Sequence, residues 1–269
     1  MDCVAIIPAR YASSRFPGKL LTSVAGRPLI EHVIGLTRRI DGIDAVVVAT
    51  DNEGIAAAAE EAGVEAVVTG NEYASGTDRV ADIAKGYSAK IVLNVQGDEL
   101  LLDTDGVAAA LASFRKGKID LGTLRAPLRE AQDLWDPNVV KVVIDDNERA
   151  LYFSRAPVPF PRAAMQAVSD EMRRSGPWLD RLVEGKDSMP AAWVHLGVYL
   201  YRADALQRWA TLPPSRLELA EGLEQLRVLE AGESMQTYPI DNAVPGVNSP
   251  GDLERAEEAL AAHTAGTKQ

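Results

Sequence analysis

The sequence predicts a doubly wound α/β fold on a mostly parallel, mixed sheet. Three observations carry this. Continuous apolar runs at Val4–Pro8, Ala45–Ala49 and Ile91–Val95 have the character of strands buried on both faces. Helical patterns alternate with them through the first 145 residues. Directly after the first run comes Pro8-Ala9-Arg10-Tyr11-Ala12-Ser13-Ser14-Arg15-Phe16-Pro17-Gly18-Lys19, a loop of small residues carrying three permanent cations. It leaves the carboxyl end of a strand, where open α/β sheets bind ligands, and it has the build of a phosphate cradle.

The elements follow in order. Pro28 suits a first helical turn, and Leu29, Ile30, Val33, Ile34 and Leu36 continue it at helical spacing. After Ala45–Ala49, Asp51 or Asn52 can cap an alanine-rich helix that Gly63 ends. Glu65–Val68 reads as a short strand, Thr77–Lys85 as a helix and Ile91–Val95 as a buried strand. Ile119–Leu128 and Val139–Ile144 read as strands of a mixed sheet. Residues 153–190 are rich in proline and charge and read as an inserted arm. His195–Tyr201 resumes strand character, and Arg216–Ala231 reads as one amphipathic helix. Ser249 caps a last helix with Pro250 in its first turn, and the tail at 264–269 frays. Residues 1–263 are thus expected to form one domain.

Composition bounds the function. The 269 residues include 46% hydrophobic and 25% charged side chains, enough for a substantial core. A net charge of −11 argues against nucleic acid and anionic membrane as partners. The lone Cys3 excludes a disulfide within the chain and suits a reducing compartment, and as a small buried apolar residue it needs no further role. The start lacks the basic segment and length of a signal peptide, and no apolar run approaches a membrane span. A cytoplasmic protein is expected.

Two further constellations bear chemistry. In Ser75-Gly76-Thr77-Asp78-Arg79, Gly76 permits close backbone approach, and hydroxyls with backbone groups can read a base edge. The same residues also make a helix start, with Ser75 or Thr77 as cap. In Val95-Gln96-Gly97-Asp98-Glu99, a carboxylate at a strand's carboxyl end is well placed for Mg²⁺ near phosphates, although a loop-capping aspartate reads identically. Neither a G-x-G-x-x-G after the first strand nor a G-x-x-x-x-G-K-S/T occurs, which removes the usual support for a dinucleotide dehydrogenase or P-loop NTPase.

These motifs, with Ala49-Thr50-Asp51, Tyr152-Phe153-Ser154-Arg155, His195-Leu196-Gly197-Val198-Tyr199, Leu223-Glu224-Gln225-Leu226-Arg227 and Pro245-Gly246-Val247-Asn248, resemble the CMP-Kdo synthetases (3-deoxy-manno-octulosonate cytidylyltransferases) over about residues 3–260. The resemblance implies a nucleotidyltransferase of Rossmann-like type with a dimerisation arm, acting as a homodimer. It implies that Arg10, Arg15 and Lys19 hold the CTP phosphates beside Pro8 and Ala9, with Lys19 also stabilising charge at the α-phosphate. Ser75, Gly76 and Thr77 would read cytosine and ribose, supported by Arg79. Asp98 would bind the catalytic Mg²⁺. Gln96, Arg155, His195, Tyr199, Glu221 and Gln225 would line the pocket of an acidic acceptor. By itself His195 reads as a core histidine, and only the resemblance assigns it to the pocket.

Three positions depart from the family pattern. The second metal-binding aspartate is Asn248, a histidine is Leu219, and the proline after the Asp-Glu pair is Leu100. Asparagine can coordinate through its carbonyl but brings no charge, so the Asn248 site should be weaker. The changes lie in the metal and acceptor regions, so the acceptor is expected to be Kdo or a smaller acid such as phosphonoformate. Two alternatives remain: a non-catalytic CTP-binding regulator with a decayed metal site, and a sugar-nucleotide enzyme using UTP.

Overall fold

The computed structural model describes residues 1–12, 16–70, 73, 75–100, 102–128, 131–160, 193–241, 253, 257 and 260. Arg15, Asn248, the expected start of the last helix at Ser249 and Pro250, the tail and the arm beyond residue 160 therefore lie outside the described residues, while Leu253, Glu257 and Leu260 are helical. The chain forms two compact units, one built on Met1–Asp120 and Gly197–Thr211, the other on Leu121–Leu196 and Leu212–Asp241.

In the first unit, β1 (Cys3–Ala9) is buried along its whole length. A short hairpin, β2 (Ser23–Val24) and β3 (Arg27–Pro28), leads into α1 (Leu29–Thr37). The helix starts one residue later than the periodicity suggests, because Pro28 closes the hairpin. Next come β4 (Ala45–Thr50), α2 (Glu53–Glu61), β5 (Glu65–Val68), α3 (Gly76–Ala84), β6 (Ile91–Val95) and α4 (Thr104–Lys116). β4 and β6 flank β1 in parallel, and β5 extends the sheet beyond β4. This places the carboxyl ends of β1, β4 and β6 side by side. The second half of β10 (Trp193–Arg202) pairs antiparallel with β6, which makes the sheet mixed. α4 has no counterpart among the elements expected from sequence, although Val107, Ala110, Leu111 and Phe114 form a buried stripe at helical spacing and the Asp103 carboxylate caps it at the Gly106 N–H, 2.9 Å away.

In the second unit, β7 (Leu121–Pro127) pairs in parallel with β11 (Met235–Pro239). β8 (Lys141–Ile144) lies antiparallel to β9 (Ala150–Ser154) and to the start of β10. Residues 153 and 154 thus close a strand rather than open the arm. The expected helix over Arg216–Ala231 is two short helices, Arg216–Glu221 and Leu226–Glu230. Ser215 and Glu218 box the first turn, and Gly222 at φ +63° turns the chain out of helix. No helix among the described residues is long and apolar enough to cross a membrane.

Candidate active site

β1 delivers Pro8 and Ala9 to the edge of the sheet, and the cradle begins at once. Arg10 donates from Nη2 to the Tyr73 carbonyl at 3.2 Å, and the Tyr11 N–H donates to Asp51 Oδ1 at 2.9 Å. The loop returns at Gly18, whose N–H donates to the Tyr11 carbonyl at 3.0 Å. Gly18 sits at φ +72°, where a side chain would strain the backbone. Lys19 then opens a short 3₁₀ helix, Lys19–Leu21, with its ammonium in contact with the Asp98 carboxylate. A tight loop returning to its own start thus sets a cation against the acid at the end of β6.

α3 supplies the second wall. Ser75 is the cap: its Oγ accepts the Asp78 N–H at 3.1 Å, and Asp78 accepts the Ser75 N–H at 3.0 Å. Gly76 opens the helix with Thr77 beside it. A Cβ on Gly76 would lie 3.7 Å from Pro8 Cγ and 3.8 Å from Gln96 Oε1, so Pro8, Gly76 and Gln96 face one another. Arg79 is 1% exposed. Its Nη2 donates to Asp51 Oδ2 at 3.1 Å, its guanidinium lies 5.5 Å from the Tyr73 ring centroid, and its Nε and Nη1 have no hydrogen-bond partner among the described residues. Asn52 caps α2 through Gly54 and Ile55, which leaves Asp51 to join the cradle at Tyr11 to Arg79. Sequence reasoning gives Asp51 no part in the site: it stands there as one of two possible caps and within the Ala49-Thr50-Asp51 match.

The turn after β6 carries Gln96 and Asp98. The Gln96 amide donates to Asn94 Oδ1 at 3.2 Å. Tyr199, buried on β10, pairs opposite Asn94 and stacks on Tyr201. Beside Asp98, the Glu99 carboxyl is pushed up to about 7 by burial, with the Asp98 charge adding to the shift. Leu100 is buried in the core.

The second unit holds a separate cluster. Glu221 accepts from Ser154 Oγ at 2.7 Å, the Arg155 N–H at 2.9 Å and the Tyr152 hydroxyl at 3.4 Å. Burial works against its charge, but these donors and the Arg155 cation outweigh it and hold the carboxyl below its ordinary range. Arg155 donates from Nε to the Glu221 carbonyl at 2.7 Å, from Nη1 to Pro137 O at 2.7 Å and from Nη2 to Gly222 O at 3.3 Å. By count, one N–H on each terminal nitrogen has no partner among the described residues. The Arg155 carbonyl accepts from Lys141, which is fully buried and also donates to Asp136 O and Val139 O. Burial pulls the Lys141 ammonium down to about 8. Gln225, 5% exposed, has an Nε2 with no hydrogen-bond partner among the described residues. His195 bonds through Nε2 to Thr123 Oγ1 at 2.9 Å and packs edge-on against Phe153. Desolvation pulls it down to about 3, so the ring is neutral at pH 7, although part of the residue still reaches solvent. Leu219 is 73% exposed.

A small-residue loop leaves the end of a parallel strand and returns with Lys19 against the acid in the turn after the neighbouring strand, the arrangement of an α/β nucleotidyltransferase. The cytidylyltransferase family model matches residues 4–235, and the chain belongs to that family. It is 42% identical to the 3-deoxy-manno-octulosonate cytidylyltransferase of Trichlorobacter lovleyi, covering 97% of this chain and 99% of the relative. The same enzyme of Geobacter sulfurreducens is also 42% identical, covering 97% and 100%. A solved CMP:2-keto-3-deoxy-manno-octonic acid synthetase complexed with CTP superposes at a TM-score of 0.83, with 35% identity over 98% of this chain and 100% of that one. At 17% identity and a TM-score of 0.64, a putative glucose-1-phosphate thymidylyltransferase from Bacillus anthracis shares the fold, covering 96% of this chain and 95% of its own.

Cytidylyltransferases of this type generally use a divalent metal. Among the described residues no group of three or more His, Cys, Asp or Glu side chains could hold one. Asp98 nevertheless fits a hard cation: it is an oxygen donor, partly exposed, beside the cation-lined cradle. Mg²⁺ is commonly held by one or two carboxylates together with substrate phosphates and water.

Proposed function

We propose that this protein transfers CMP from CTP to 3-deoxy-manno-octulosonate (Kdo), releasing pyrophosphate. The observation that carries the reading is the contact between Lys19 and Asp98 at the open end of β1 and β6. It sets a cation where phosphate charge would gather and an acid where a metal would be held. Arg10, Arg15 and Lys19 bind the triphosphate, with the backbone of Pro8 and Ala9 beside it. Gly76 and Thr77 read the base and ribose, while Ser75 caps α3 and Arg79 braces the wall through Asp51. Gln96, Arg155, His195, Tyr199 and Gln225 serve the acceptor. Glu221 acts through Arg155, whose N–H its carboxylate accepts.

The acceptor hydroxyl oxygen attacks the α-phosphorus in line as its proton passes to solvent water, the bond between the α-phosphorus and the oxygen bridging to the β-phosphate breaks, and its electron pair leaves with pyrophosphate. Lys19 stabilises the charge that builds at the α-phosphate. Asp98, with Asn248 as a neutral second donor, would hold Mg²⁺, which would supply charge neutralisation at the phosphates and activation of the acceptor hydroxyl. The enzyme works as a homodimer through the arm.

The relatives support Kdo as acceptor, and nothing in them favours phosphonoformate or a non-catalytic role. The test is pyrophosphate release with CTP, Mg²⁺ and either Kdo or phosphonoformate, with UTP in place of CTP as a control. Turnover with CTP and Kdo alone is expected. CTP binding without release for either acid overturns the enzymatic reading, and release only with phosphonoformate overturns the acceptor.

A further inference from the structure

The pairing of β6 with β10 reaches Val95 opposite Val198. Beyond it the turn carrying Asp98 is tied to one residue twice. The Gln96 N–H donates to the Gly197 carbonyl at 3.2 Å, and the Gly197 N–H donates to Glu99 Oε1 at 2.9 Å. Within the turn, the Glu99 N–H returns to the Gln96 carbonyl at 3.1 Å. A side-chain carboxylate therefore takes the place of the next strand residue and closes the turn around Asp98. Gly197 admits this only because it has no side chain: a Cβ there would lie 2.6 Å from Glu99 Oε1 and 2.9 Å from Gln96 Cγ. The other side of the turn is equally close-packed, since a Cβ on Gly97 would lie 3.2 Å from both the Pro8 carbonyl and Leu20 Cδ1.

We infer that Glu99 is a positioning residue, whose hydrogen bond to the Gly197 N–H sets the Asp98 carboxylate for the metal and for Lys19. The inference rests on the proposed role of Asp98. What matters is an acceptor oxygen at the right reach. A glutamine offers the same oxygen, whereas alanine offers none and aspartate falls one methylene short.

Titrating Mn²⁺ into the protein–CTP complex and following the free-ion signal by electron paramagnetic resonance tests this directly, with kcat and KM for CTP measured alongside. Glu99→Ala should weaken Mn²⁺ binding about 10- to 100-fold and lower kcat by a similar factor, the range expected when a partner of a metal ligand is lost. KM for CTP should stay near wild type. Glu99→Gln should keep both quantities within about threefold, a difference of under 1 kcal/mol. Gly197→Ala, which evicts the carboxylate, should follow Glu99→Ala. Wild-type behaviour of Glu99→Ala overturns the inference, as does a Glu99→Gln defect equal to that of Glu99→Ala, which would make charge the important quantity. If Glu99→Ala does not fold, Glu99→Asp takes its place in the same comparison. Asp98→Asn is the reference: if it leaves Mn²⁺ binding unchanged, the metal role of Asp98 fails, and the kcat ratio of Glu99→Gln to Glu99→Ala still decides the clamp.

Discussion

The cradle of the first unit and the Arg155–Glu221 cluster of the second both gather charge, by opposite means. The loop of the cradle comes from one short stretch of chain, closed on itself by Gly18 and Tyr11, with Lys19 set against Asp98. The second cluster is built from distant segments: Glu221 meets Ser154 and Arg155, and Lys141 donates three hydrogen bonds to backbone carbonyls. Local closure sets Lys19 at the mouth of its own loop, against the Asp98 carboxylate. Long-range closure uses charge to fasten backbone, so a change there should act on stability and acceptor geometry before it acts on chemistry.

The comparison breaks most sharply at Asp98. Asp98→Asn should lower kcat by about 10³-fold, the equivalent of several kcal/mol of lost charge stabilisation, while the melting temperature holds. An equal loss of folding would erase the distinction between the two clusters. Lys19→Met comes next: a loss of about 10²- to 10³-fold in kcat, as for removal of one preorganised donor, read in single-turnover experiments at saturating CTP.

Lys141→Met probes the other side. It leaves three backbone carbonyls, that of Val139 buried, without their donor and should lower unfolding free energy by about 2 kcal/mol in urea titrations. The pH dependence is a sharper signature. Lys141 holds its proton less tightly when folded, at about 8, than at its ordinary 10.5. Between those values the unfolded chain binds more protons, so this residue's contribution to stability rises with pH. Wild-type stability relative to Lys141→Met should therefore increase from pH 8 toward 10.5, and a flat difference would count against the buried ammonium. The smallest effect belongs to Arg155→Lys. A point charge cannot reproduce the fork across the Pro137, Glu221 and Gly222 carbonyls, so KM for the acceptor should rise about tenfold with KM for CTP unchanged.

The run from Pro8 to Lys19 was legible because its parts are neighbours in sequence: an apolar strand, small residues, a glycine that must turn and cations at fixed offsets. The capping box at Ser75 and Asp78 was legible for the same reason, as was the short strand Glu65–Val68. The break at Gly222 carried a signal too, a glycine in the middle of a proposed helix, but the apolar periodicity on either side masked it. Of the two possible caps at Asp51 and Asn52, either is chemically suited in sequence, and the structure selects Asn52, which frees Asp51 for the cradle.

The sequence by itself determined the apolar strands of the first unit and the small-residue loop that leaves the first of them, since each is written in residues close along the chain, while the class of chemistry was carried by the resemblance of several motifs taken together. Tertiary structure alone decided that Glu99 clamps Gly197, that Asp51 joins Tyr11 to Arg79, and that Lys141 and Glu221 hold Arg155. Those bonds span between 14 and 98 residues of chain. A side chain's type limits what it can bond, but the partner it meets depends on how the whole sheet brings distant backbone groups within 3 Å or so of it.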